Sequence, residues 1–223
     1  MSSPLPGAAL LDLVAVMDRL RSPGGCPWDA EQTHASLLQY LIEECYETVE
    51  AVESGDRDHL VEELGDLLLQ VVFHARIGQE RAEAPFDIED VAAGIVAKLR
   101  HRHPHVFLNV TGGDVTVSDM SELENNWEAA KAAEKGRASA MDGIPPALPA
   151  LALAAKTQSR AARLGVGPAV TPGEVPDGAD LGDALFALVA SARARGLDPE
   201  AELRAATRRY ADTVRAAERE SSE

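Results

Sequence analysis

Three observations predict an all-α fold, a four- to five-helix bundle. Apolar residues recur at a helical period, the composition is rich in alanine and poor in aromatics, and alternating β-branched runs are scarce. Residues 8–21 predict a first helix, ended by Ser22-Pro23-Gly24-Gly25, where proline and two glycines break the pattern. Cys26-Pro27-Trp28-Asp29 reads as a loop leading into a long helix over 33–54, punctuated by Leu37, Leu38, Leu41, Ile42, Cys45, Val49 and Val52. Gly55-Asp56 reads as a turn. The next helix spans 57–80 and is punctuated by Leu60, Leu64, Leu67, Leu68, Val71 and Val72, so the two helices form an antiparallel hairpin with apolar rows toward an interior. Pro85 and Asp87 precede a helix at 88–102, which Pro104 terminates.

Val106 to Val117 alternates around Gly112-Gly113 and reads as a loop or a short hairpin. A fifth helix is expected from Ser118, whose side chain can cap it, through Lys135. Residues 142–179 are dense in proline and glycine, with one helix at 150–164, and read as a connector between a main helical domain at 1–141 and a tail at 180–223.

The hairpin carries the chemistry. Glu44 with Glu47, and Glu63 with Asp66, are each three residues apart, which places each pair on one helix face, about 60° apart around the axis. Four like charges converging between two helices raise one another's pKa, and each desolvated carboxylate is costly. A hard divalent cation supplies the compensation, and an all-oxygen shell selects magnesium or manganese over zinc or copper. The plainer alternative is a solvated acidic helix face.

The formal net charge of −16 argues against a polynucleotide partner or an anionic membrane, because no basic arm or stripe exists to release counterions. The surplus is local: residues 1–155 carry 11 basic and 26 acidic side chains, whereas 156–223 carry 10 and 11. Cys26 and Cys45 do not suggest a disulfide scaffold or a zinc site, and Cys45 is expected to pack between Ile42 and Val49. With no signal-peptide pattern and no stretch of membrane-spanning length, a cytoplasmic location is expected.

The tail contains an echo. Asp180-Leu181-Gly182-Asp183-Ala184-Leu185-Phe186 resembles Glu63-Leu64-Gly65-Asp66-Leu67-Leu68-Leu69 at an offset of 117 residues, and Ala192-Arg193 echoes Ala75-Arg76. The preceding stretch, Thr171 to Gly178, is too rich in helix breakers to supply a Glu-Glu-x-x-Glu helix, so the tail reads as a truncated second copy without the cluster.

Cys26-Pro-Trp-Asp29, Glu43-Glu44-x-x-Glu47, Glu63-x-x-Asp66, Lys98-Leu-Arg-His-Arg-His-Pro-His-Val-Phe107 and Trp127-Glu-Ala-Ala-Lys131, in that order, closely resemble the MazG family of nucleoside triphosphate pyrophosphohydrolases. The resemblance covers nearly the whole chain. It implies an all-α, magnesium-dependent and oligomeric enzyme, with a homodimer expected, that cleaves NTPs or dNTPs to the monophosphate and pyrophosphate, with Mn²⁺ as a substitute metal. By the same resemblance Glu44, Glu47, Glu63 and Asp66 are metal ligands, with Glu43 beside them; Glu43 or Glu47 is expected to orient the attacking water, with Glu62 in reserve because Glu62-Glu63-x-x-Asp66 repeats the form of Glu43-Glu44-x-x-Glu47. Lys98 and Arg102 meet the triphosphate, and Trp127 and Lys131 lie near the nucleotide.

These assignments also make chemical sense. Lys98 and Arg102 are four apart on one helix, a spacing suited to gripping phosphate oxygens, and Trp127 with Lys131 repeats it with a stacking surface and a cation. Either pair is also ordinary on a bundle surface. Trp28 beside Pro27 is read as pinning its loop, and His101, His103 and His105 around Pro104 as helix termination rather than zinc ligation. Two other classes compete: an inactive helical oligomerisation or regulatory module, favoured by the degraded tail, and a di-iron bundle, for which Glu31-Gln-Thr-His34 offers only one Glu-x-x-His. Base and sugar preference stay open.

Overall fold

Gly55 and Gly78 mark two places where the backbone itself fixes how the helices pack. In a computed structural model that describes residues 7–107, 139, 141–164 and 180–220, helices are the only regular structure among the described residues. The first group is α1 (Ala8–Arg21), α2 (Pro27–Glu31), α3 (Leu38–Ser54), α4 (Arg57–Gly78), α5 (Ile88–Arg102) and α6 (Pro104–Phe107). Gly55 closes α3 in the left-handed region at φ 73°, and Asp56 at once caps α4 by accepting from the amides of Asp58 and His59. A helix stop and start on adjacent residues leaves no slack, so α3 and α4 pack as a hairpin.

At the other end of α4, a Cβ on Gly78 would lie 2.6 Å from the Phe86 ring. Only glycine lets the 79–87 connection fold back there, with the Phe86 amide donating to the Gly78 carbonyl. Asp87 then starts α5 with a reciprocal capping box to Asp90. The core is Met17, Leu37, Val72, Phe73 and Ile77, with Leu13, Val14, Leu20, Tyr40, Leu69 and Ile88 packed against it.

Arg21, buried at the end of α1, ties the helices together. Its guanidinium holds Glu80 in a two-point ion pair at 3.1 and 2.7 Å, donates to the carbonyls of Gln32 and Asp29, and lies over the Phe73 ring. The same guanidinium keeps the Glu80 carboxyl below its ordinary pKa, and Arg76 adds to this while also pairing with Asp18.

Several expectations need correction. Cys26-Pro27-Trp28-Asp29 is not all loop: Pro27, at the first helical position, and Asp29, in the first turn, start the short α2. The long helix begins at Leu38 rather than 33, because Thr33 and Ser36 exchange side-chain to backbone hydrogen bonds that hold a separate turn before it. The α4 helix stops at Gly78 rather than 80. The apolar rows of the hairpin are only partly interior: Leu37 and Val72 are buried, whereas Leu38, Ile42, Val52, Leu64, Leu68 and Val71 are exposed. Cys45 is likewise exposed and not packed between its neighbours. The helix expected from Ser118 and most of the 106–117 segment lie outside the described residues; Val106 and Phe107 belong to α6.

The second group is α7 (Ala150–Leu164), α8 (Leu181–Ala194) and α9 (Pro199–Glu220), each packed on the other two. The α7 helix falls inside the expected connector, and buried Gln158 joins it to α8. Gln158 Nε2 donates to the Phe186 carbonyl at 2.8 Å, and its Oε1 accepts from Arg193.

Candidate functional site

The hairpin is symmetric about its turn. Glu47 and Glu63 each lie eight residues from Gly55, and Glu44 and Asp66 each lie eleven. Folding at that glycine therefore brings Glu47 level with Glu63 and Glu44 level with Asp66. The electrostatics follow this pairing: of the neighbouring charges, Asp66 acts most strongly on Glu44, and Glu47 on Glu63.

The carboxylates do meet. One ligand oxygen from each of Glu44, Glu63 and Asp66 lies within 4.8 Å of the others, with Glu63 buried and the other two half-buried. Glu47 stands beside them, within hydrogen-bonding reach of Glu44. The Glu44 carboxyl is pushed up to about 7, first by burial, then by its hydrogen bond to Glu47 and by the charges of Asp66, Glu47 and Glu63. Burial and the charges of Glu47, Asp66 and Glu62 also push Glu63 up, while His59 acts in the opposite sense. An oxygen-only donor set, crowded enough that one member resists ionisation at neutral pH, fits a hard divalent cation. The group contains no histidine, which removes the feature a di-iron bundle requires.

The remaining predicted residues are placed as follows. Glu43 is exposed on α3, one residue off the acidic row. Lys98 and Arg102 sit four apart on α5, a helix that packs against α4, with Lys98 exposed and Arg102 half-buried. Trp127 and Lys131 lie outside the described residues. Trp28 is half-exposed and meets Tyr40 edge-on with ring centroids 6.0 Å apart, a contact that fastens α2 to α3. His103 ends α5 by directing Nδ1 at the Leu99 carbonyl, at 2.8 Å, in line with the helix-termination reading.

Two groups were not singled out from the sequence. The Nε2 of His59 lies 3.1 Å from Glu63 Oε1, and the i, i+4 spacing of this pair on one helix was a signal already present in the chain. His34 Nδ1 meets His74 Nδ1 at 2.8 Å; because they come from a turn and from α4, forty residues apart, no local spacing could reveal them.

Residues 32–107 match the MazG nucleotide pyrophosphohydrolase domain. The chain is 40% identical over 227 residues to the nucleoside triphosphate pyrophosphohydrolase/pyrophosphatase MazG of Thermotoga maritima, covering 92% of this chain and 84% of that one. It is 41% identical over 233 residues to the nucleoside triphosphate pyrophosphohydrolase of Escherichia coli K12, covering 93% and 86%. It is also 52% identical over 215 residues to an uncharacterized 26.1 kDa protein of Streptomyces cacaoi, covering 96% and 84%. A helical protein whose acidic hairpin lies within the matched domain, and which aligns over nine-tenths of its length with such relatives, belongs to the MazG family.

Proposed function

We propose that the protein hydrolyses nucleoside triphosphates, ribo or deoxy, to the monophosphate and pyrophosphate, and that it does so in housecleaning of the nucleotide pool. The observation that carries this reading is the convergence of Glu44, Glu63 and Asp66 across the α3–α4 hairpin. Together with Glu47 they are the ligands for Mg²⁺, with Mn²⁺ as a substitute; the bound metal supplies positive charge at the scissile phosphate and activates water. Glu43 or Glu47 orients the attacking water toward the α-phosphorus, so the α–β anhydride breaks and the pyrophosphate departs. Lys98 and Arg102 offset the charge developing on the triphosphate oxygens, and Trp127 with Lys131 supports the nucleotide. The activity belongs to residues 1–141, the segment 142–179 connects, and the tail at 180–223 takes no part in the chemistry.

A homodimer accounts for the apolar surface. Leu38, Ile42 and Tyr46 on α3, Leu64, Leu68 and Val71 on α4, and Val91, Ile95 and Leu99 on α5 form exposed rows at helical spacing, a surface that a second copy would cover. We place the protein in the cytoplasm. No described helix is long and apolar enough to cross a membrane.

The test is a panel of canonical, deoxy and oxidised triphosphates with Mg²⁺, with the released product identified as pyrophosphate or orthophosphate. Pyrophosphate from at least one substrate, lost in Glu63→Ala, is the expected result. Orthophosphate release, or cation binding with no turnover of any substrate, would sink the reading.

A further inference from the structure

Glu63 is the only buried carboxylate among the described residues, at 7% exposure. The acids around it come from both helices, Glu47 from α3 and Glu62 and Asp66 from α4. One turn earlier on α4 stands His59, with Nε2 3.1 Å from Glu63 Oε1. His59 is itself anchored, because its backbone amide donates to the capping side chain of Asp56 at 3.1 Å. The cap that starts the helix thus also sets the base of the imidazole.

We propose that His59 is a positioning residue of the carboxylate site: its Nε2–H donates to one oxygen of Glu63 and fixes the orientation in which that carboxylate meets Glu44 and Asp66. A carboxylate side chain has three rotatable bonds, and a ligand held in one rotamer loses less freedom when a cation arrives. The donor and acceptor lie on the same helix, so the arrangement belongs to α4 and needs no contribution from α3. Imidazole also offers a donor without committing a permanent cation beside a site that must attract one.

This inference rests on the reading of Glu44, Glu63 and Asp66 as metal ligands, and a binding measurement separates the two. The full-length chain is titrated with Mn²⁺ alone, without nucleotide, by calorimetry and by the paramagnetic resonance of free Mn²⁺. Wild type is compared with Glu63→Ala, His59→Phe and His59→Gln. His59→Phe, which keeps a ring of similar size but removes the donor, should weaken Mn²⁺ binding about 10-fold. His59→Gln, whose amide reaches the same carboxylate, should restore most of it.

Wild-type affinity in His59→Phe, or equal loss in the Phe and Gln variants, overturns the positioning role and leaves the metal site standing. Absence of Mn²⁺ binding by the wild type, or binding unchanged in Glu63→Ala, overturns both.

Discussion

The α4 and α8 segments share a short motif, an acid followed by Leu-Gly-Asp, yet only one contributes to a cluster. In α4, Glu63 and Asp66 lie well inside the helix, past a cap supplied by Asp56. In α8, the residue that corresponds to Glu63 is Asp180, and it is the cap itself: its side chain accepts from the Asp183 amide at 2.9 Å. An acid at a helix start satisfies an orphan backbone donor, whereas an acid one or two turns in has no such duty and projects from a face. The partner helices differ as well. α3 brings Glu44 and Glu47 to α4, while α7 brings the amide of Gln158 to α8. The same short motif is therefore a site in one place and a helix start in the other.

Mutation of the two copies gives the largest separation. Glu63→Ala or Glu44→Ala should abolish Mg²⁺-dependent pyrophosphate release, by about 10³-fold or more, with little change in far-UV circular dichroism. Asp180→Ala should leave turnover at the wild-type level. Equal losses in both would remove the contrast between α4 and α8.

Cation linkage should divide them next. Mn²⁺ at 100 times its dissociation constant should stabilise the wild type by about 2.7 kcal/mol in a melting experiment, and the Asp180→Ala variant by the same increment. Glu63→Ala should gain little.

The pH dependence of the metal-free protein sharpens the point. The Glu44 carboxyl titrates near 7 in the folded state against an ordinary value of 4.5, so the folded chain binds the extra proton. Its contribution to stability is fully present below 4.5 and is lost as pH rises through about 7. Urea melts from pH 4.5 to 7 should show stability falling on this account in the wild type and flattening in Glu44→Gln; an unchanged slope would argue against the crowded cluster. Over the same range His74 works in the opposite sense: burial first, and then the charge of His34, hold its pKa below the ordinary 6.5, so its contribution is present above 6.5 and is lost as pH falls through its folded-state value, while the depressed Glu80 acts only below 4.5. The Glu44→Gln difference, rather than the raw curve, is therefore the quantity to compare.

The smallest effect belongs to the tail. Asp180→Ala removes a helix cap and should lower stability by about 1 kcal/mol, while Asp180→Asn, which can still cap, should be nearly neutral. A neutral Asp180→Ala would mean that the cap carries no weight there.

Much of this was legible in the chain because it is local. The helices at 8–21, 88–102 and 150–164 have the bounds read from the chain, the first ended by its Pro-Gly breakers and the second set between Asp87 and Pro104, and the Gly55-Asp56 reversal is where a left-handed residue followed by a cap belongs. The symmetric spacing of the four acids about Gly55 was also present in the sequence. Where the reading failed, competing local chemistry or distant packing had won. Thr33 and Ser36 hold a turn that a purely apolar periodicity does not see. Cys26-Pro27-Trp28-Asp29 reads as a loop, although proline is also a good first helical residue and Pro27 takes that place in α2. Cys45, apolar by type, ended on the exposed side because burial is assigned by what packs on a face, not by what the face contains.

By itself, the sequence determined the helices, the turn and the spacing that makes two acidic rows, since each follows from interactions within a few residues. It also carried the motifs that mark the family. Tertiary structure decided which acid is enclosed, that Arg21 gathers α1, α2 and Glu80 at one point, and that His34 meets His74. Those outcomes depend on groups far apart in the chain approaching to within a few ångströms, and helical periodicity constrains only the direction in which each one points.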